Sequence, residues 1–283
     1  MRTLIICLSF ILVATGLHGQ DKFPVLNFDR LPHHLVLNNS IERFYQVVTD
    51  YLDYDLRGNF LRKTRVTGKY TAGLENGAVR WNDVTIRYSN AENASFSSFS
   101  EGNPQEYMEN FTYIPSETIV QKSFFAEIPE ADMRMKNLVW DMLGLEGFAY
   151  WYWDSLRINQ EFRANALNSE VDLAGEGTFE NKDIRLTWIG VTDRNSEPCA
   201  IIKFSTMNNP LTIETDAITM HGRSHYWGEV YVSMQDKEIE YATLTEDVLT
   251  DITIMGQPNN MLGYTVRKMT VSRINKMSPE EKR

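Results

Sequence analysis

Cysteine is scarce: the 283 residues hold two, Cys7 and Cys199. A lone thiol in the body of the chain excludes a disulfide-built scaffold and a thiolate metal pair, so an ordinary hydrophobic core must hold the fold. Cys199 precedes the apolar run "AIIKFS", the setting of a small hydrophobe rather than an activated thiolate. Histidine is nearly as scarce, and no HExxH occurs. "HGRSH" spaces His221 and His225 as a ligand pair only if helical, and Gly222, Ser224 and Gly228 read as a turn. No metal site is expected. Neither GxGxxG nor GxxxxGK[ST] is present, which sets aside phosphate-cradling loops, and no cofactor is implied. Positive charge is also lacking. A formal net charge of −10 argues against nucleic acid or an anionic membrane as partner. No apolar run reaches the roughly 20 residues of a membrane span.

What is there begins with "MRTLIICLSFILVATGLHGQ": Arg2, an apolar run from Leu4 to about Ala14, then small and polar residues. That order is a secretory signal peptide over residues 1–20, with cleavage before Gln20 or Asp21. Removal takes Cys7 with it. The mature protein is expected to be secreted or periplasmic by bacterial export, with no membrane-spanning segment. Residues 21–283 read as a single domain, with a lobe division near 130–160 as the alternative.

Periodicity supplies the elements. "NSIERFYQVVTDYLDYD" repeats Ile41, Phe44, Tyr45, Val48, Tyr51 and Leu52 at three- and four-residue spacing behind a Ser40 cap, which predicts an N-terminal helix. "RKTRVTGKYTA" and "AVRWNDVTIRYS" form a hairpin through "GLENG", with a change of parity at Asn82-Asp83 that marks a bulge. "SNAENASFSSFSEGNPQ" reads as a long flexible loop. From Pro129 a long central helix is predicted, carrying the stripe Leu138, Met142, Leu145, Ala149, Tyr152 and Leu156. Strands joined by turns follow from about Glu170 to Ile274. "IRLTWIGV" puts Ile184, Leu186 and Trp188 on one face, and "CAIIKFS" suits a central strand. The fold class is therefore α+β: a mostly antiparallel sheet, half-barrel or sandwich-like, with an N-terminal helix and a long central helix.

Tests for catalytic chemistry identify no catalytic residue. "DYDLRGN" starts like a calcium loop, but Arg57 stands at a coordinating position. "GRSHYWG" lacks the glycine a nucleophile elbow needs two residues after Ser224. Carboxylates abound, and Glu238 and Glu240, alternating with Ile239 and Tyr241, read as the solvent face of a strand.

The aromatics carry the functional reading. "GFAYWYWDSL" packs five into ten residues. Phe148, Trp151 and Tyr152 are expected to be buried, leaving Tyr150 and Trp153 to face a ligand. His225, Tyr226, Trp227 and Glu229 mix aromatic and titratable groups around the expected turn and complete the candidate ligand-binding set. Aromatic and methionine content without a catalytic set favours a non-catalytic binding protein for an apolar ligand such as a lipid. The alternatives are a structural or interaction component with an envelope protein partner, and an extracellular hydrolase working near His225, Trp227 and Glu229. The helix-then-sheet order resembles periplasmic carriers of lipids and lipoproteins in architecture alone, through no shared motif.

Overall fold

The apolar run of "CAIIKFS" becomes the middle of a strand of 18 residues, β10 (Glu197–Glu214), in a computed structural model of the chain. The structure describes residues 29–95, 98–116, 121–129, 133–216, 218–258 and 260–275. The signal peptide expected over residues 1–20 lies outside them. Strand β10 is bonded on one side to β9 (Arg185–Arg194) and β8 (Gly177–Glu180), and on the other to β11 (Ile218–Ser233). The sheet continues through β12 (Ile239–Ile254), β13 (Met261–Ile274), β1 (Arg43–Tyr54), β2 (Phe60–Ala72) and β3 (Val79–Ser89). Short strands finish it: β4 (Asn103–Pro104) and β5 (Phe111–Tyr113) on β3, β6 (Glu161–Arg163) on β9, and β7 (Glu170–Asp172) on β8. All these pairings are antiparallel. The result is one open sheet, not a sandwich.

Among the described residues a single α-helix, α1 (Met133–Tyr150), lies against this sheet. Every residue of it is buried or half-buried, Arg134, Lys136, Asp141 and Glu146 included, so it is covered on several sides. Phe148 stacks on Phe204 of β10 with centroids 4.5 Å apart, while Glu146 accepts a 3.1 Å hydrogen bond from Tyr70 of β2. Strands from both halves of the sheet therefore reach the same helix. The core between them includes Trp81, Trp188, Leu138, Met142 and Leu145, all fully buried.

The expected N-terminal helix is strand β1. Its three- and four-residue repeat mixes two faces: Tyr45, Val47, Thr49 and Tyr51 point inward, and β-branched and aromatic residues pack well on a pleated surface. Pairing along its whole length with β2 and β13 settles the matter. The expected hairpin and its bulge are present as β2 and β3, with Asp83 at φ 53 where the register shifts. The expected central helix ends at Tyr150, short of Leu156. A 3-10 turn at Trp153–Ser155 follows, so the helical stripe does not extend through the aromatic motif.

Candidate functional site

Strands β10 to β13 outrun the helix. In β12 the inward face is marked by Leu244 and Glu246, and the same parity continues through Val248, Thr250, Ile252 and Ile254. Unbroken registers on both sides align Thr250 with Gly222 and Gly263, and Ile252 with Met220 and Met261. On β10, Leu211 and Ile213 sit opposite Gly222 and Met220, and Phe179 of β8 sits opposite Leu211. These rows form an inward-facing surface of isoleucine, leucine, methionine and phenylalanine, half-buried to exposed rather than sealed. At about 3.3 Å per residue, it extends about 20 Å beyond Glu246.

A polar belt separates this distal surface from the helix-covered core. The Arg267 guanidinium donates to Glu246 at 2.6 Å and to Asp141 of α1, and Ser224 donates to the other Glu246 oxygen at 2.5 Å. Asn209, wholly buried, donates to the Ser224 carbonyl at 3.2 Å and accepts from the Lys182 amide at 2.9 Å. Burial pushes the Asp141 carboxyl up to about 6 against the pull of Arg267. Buried charges persist only when paired in this way. The belt is therefore a fixed floor for the distal surface.

Two cavities accompany these features. A groove of ≈ 360 Å³ lies at the distal end on the outer face of the sheet, opposite the inward apolar rows, lined by Leu56, His221, Arg223, Leu249, Asp251 and Leu262. A second, of ≈ 290 Å³, lies between the N-terminal end of α1 and residues 122–128. Its wall includes the buried pair Lys136–Glu176, 2.5 Å apart.

Of the six candidate ligand-binding residues, three share a surface. His225, Trp227 and Glu229 alternate along the outer face of β11, half-buried, while Tyr226 points inward. "HGRSHYWG" is strand, not a turn. Its Gly228 answers to close packing: a Cβ there would lie 1.9 Å from the Thr243 carbonyl oxygen and 2.7 Å from Phe204. His225 Nδ1 accepts from the Asn208 amide at 3.2 Å, and Glu229 accepts from Tyr231 at 2.9 Å. Neither cavity reaches these residues. Tyr226 is buried beside Phe204, and its hydroxyl donates to Asn181 at 2.7 Å.

Of the two aromatics expected to face a ligand, Trp153 is buried and Tyr150 half-buried. Trp153 is 1% exposed, and its indole N–H donates to the Pro32 carbonyl at 2.9 Å, anchoring the segment that holds the buried Leu31. Tyr150 is half-buried, within electrostatic reach of Tyr45, Glu146 and Glu238, and desolvation raises its hydroxyl well above its ordinary range. Trp151, expected inside, is 62% exposed, because the chain leaves the helix at that residue. Phe148 is buried as expected and Tyr152 half-buried.

The acids read as a solvent face are buried. Glu238 pairs with Arg43, and Glu240 with Arg273. A bulge at Tyr231/Val232 breaks the simple alternation at this end of β12. Burial pushes Glu238 up to about 8, and Cys199, also desolvated, up to about 12.

No family model matches the chain, and no curated protein matches it. Among solved structures, the chain is similar to one described as lipid-protein interactions in lipovitellin, with 12% identity and a TM-score of 0.44. That likeness covers 84% of this chain and 25% of the other, so the chain spans about a quarter of its length. A DUF1329 family protein from Desulfovibrio piger is similar at 7% identity and a TM-score of 0.15, over 85% and 89% of the two chains. The botulinum neurotoxin serotype C1 binding domain is similar at 9% identity and a TM-score of 0.13, over 84% and 85%. Likenesses at these scores assign neither fold nor function.

Proposed function

We propose that the protein is an exported, non-catalytic binding protein for an apolar ligand, an acyl chain of a lipid, held on the distal inward face of β10 to β13. One observation carries the reading: apolar rows from four adjacent strands continue past the polar belt, and among the described residues no helix lies over them. Leaving such side chains half-exposed forgoes about 25 cal/mol per Å² of apolar area, which an acyl chain laid across them would recover. Small-ligand sites are lined mostly by apolar side chains, with a few polar groups that fix orientation. Here the belt of Ser224, Glu246 and Arg267 supplies the polar end. Export rests on the signal peptide at residues 1–20, and its test is the mass of the mature N-terminus.

The ligand reading is tested by extracting lipids from purified protein for mass spectrometry and by thermal shift with a panel of fatty acids and phospholipids. An acyl ligand should raise the melting temperature. Ile252→Asp and Met220→Asp should abolish the shift, because each places a charge among the apolar rows. A protein that carries no lipid and shows no shift with any member of the panel would overturn the proposal.

A further inference from the structure

Exposed apolar side chains gather at the distal end of the sheet, among turns that also carry Asp55, Arg57, Glu214 and Asp216. Hairpin turns ordinarily carry Gly, Asn, Asp, Ser or Pro at their tips. Three turns meet at this end, because Tyr54 pairs with Tyr264 and Ile218 with Ile254. The β1–β2 turn presents Leu56 at 59% exposure, the start of β11 presents Ile218, and the β12–β13 hairpin presents Met255 at 76%, Met261 at 56% and Leu262 at 50%. No charged residue occurs between Asp251 and Arg267 in the sequence. The β12–β13 hairpin therefore ends in a segment with no charge to dehydrate and three exposed apolar side chains.

We infer that this rim docks the protein on a lipid bilayer, with the β12–β13 tip entering the interface between headgroups and acyl chains. The inference rests on the lipid-binding reading and deepens it by naming where the ligand enters. Three features select a bilayer as the occupant. Three of the exposed apolar side chains, Met255, Met261 and Leu262, sit on the one hairpin end that carries no charge, a shape that can enter a fluid interface while the charged β1–β2 and β10–β11 turns stay at headgroup level. A tip free of charge avoids the cost of bringing an ion toward hydrocarbon. The inward apolar rows begin at the same rim, with Met261 belonging to both, so an acyl chain passes from bilayer to protein without crossing water. The net charge of −10 removes attraction to anionic headgroups as the driving force, so insertion of apolar side chains must supply it. Binding should then favour neutral vesicles and be insensitive to salt.

The test is flotation of the purified mature protein with phosphatidylcholine vesicles at low and high salt. Wild type should float at both, and the double variant Met255→Asp, Met261→Asp should bind about tenfold more weakly or worse. Both side chains are exposed, so the melting temperature should hold. A separate arm uses Ile252→Asp, which lies further in. It should lose the thermal shift with soluble acyl ligands while still floating, so a failed ligand site and a failed docking rim are told apart. Absence of flotation in wild type, binding confined to anionic vesicles and lost in salt, or unchanged flotation of the double variant would overturn the inference. So would a wild-type dimer in solution that the double variant abolishes, since a second copy would then be the occupant of the rim.

Discussion

Asp141 of α1 and Glu246 of β12 share one guanidinium, that of Arg267 on β13, and all three groups are withdrawn from water. Helix and sheet are thereby locked at the level where the core gives way to the distal surface. The arrangement follows from burial: each carboxylate would be untenable without the cation, and the cation is matched by both. Arg267→Met should destabilise by about 3–5 kcal/mol, because it leaves two buried acids unpaired. Adding Asp141→Asn and Glu246→Gln should recover most of that loss, since a neutral belt carries no uncompensated charge. Urea unfolding of the single and triple variants at neutral pH checks both statements.

Glu146 gives the fold a pH dependence. Loss of hydration around its carboxyl raises it from 4.5 to about 7, against the Tyr70 hydroxyl and Arg43, which favour the charged form. A group that titrates higher in the native state binds its proton preferentially there, so stability falls as pH rises from about 4.5 to about 7. The full effect is about 3 kcal/mol. Glu146→Gln keeps an acceptor for Tyr70 and should flatten this part of the profile. Asp141, raised to about 6, and Glu238, raised to about 8, add declines over overlapping windows in wild type and variant alike, so the variant's slope between about 4.5 and 7 should be reduced rather than abolished. Denaturation midpoints across a pH series test the assignment, and an unchanged slope in the variant would refute it.

Legibility in the sequence divided along physical lines. The β2–β3 hairpin, its bulge, the face shared by Ile184, Leu186 and Trp188, and the continuous run of β10 were readable, because each is a local pattern of alternation and turn chemistry. Strand β1 was not, since inward Tyr45 and Tyr51 and outward Phe44 and Val48 together imitate helical spacing. Gly222 and Gly228 suggested a turn because glycine has the same letter whether it bends a chain or admits a neighbour's backbone. Burial of Glu238 and Glu240 depends on Arg43 and Arg273, far away in sequence. The distal face was missed for the same reason. Ile213, Met220, Ile252 and Met261 come from four strands and meet only through their registers, although the uncharged stretch at 252–266 was a signal available in one dimension.

Within the aromatic motif, neighbours should behave oppositely. Phe148→Ala removes a buried ring stacked 4.5 Å from Phe204 and should cost about 3–5 kcal/mol through lost transfer energy and the cavity left behind. Trp151→Ala, three residues on and exposed, should stay within about 0.5 kcal/mol of wild type. Thermal melts of the two variants decide this. A large loss at Trp151 would mean that its side chain is covered in solution by something that also packs on the end of α1.

Gly228 offers the sharpest steric test of the sheet's close packing. Any Cβ at this position of β11 would press to 1.9 Å from the Thr243 carbonyl oxygen and 2.7 Å from the Phe204 ring. Relief requires β11 and β12 to part or Phe204 to leave its stack on Phe148, and both sit in a core packed too tightly to yield cheaply. Gly228→Ala should therefore destabilise by about 2–3 kcal/mol, more than an ordinary glycine-to-alanine change in a strand, where alanine is usually the better residue. Gly256, at φ 80 on a turn with open space around it, is the control. Alanine there meets no neighbour, and its cost should be confined to the backbone strain of a positive φ, about 1–2 kcal/mol. Chemical denaturation of the two variants side by side separates steric exclusion from backbone strain. A Gly228→Ala protein as stable as wild type would mean that β11 and β12 lie further apart than this register allows.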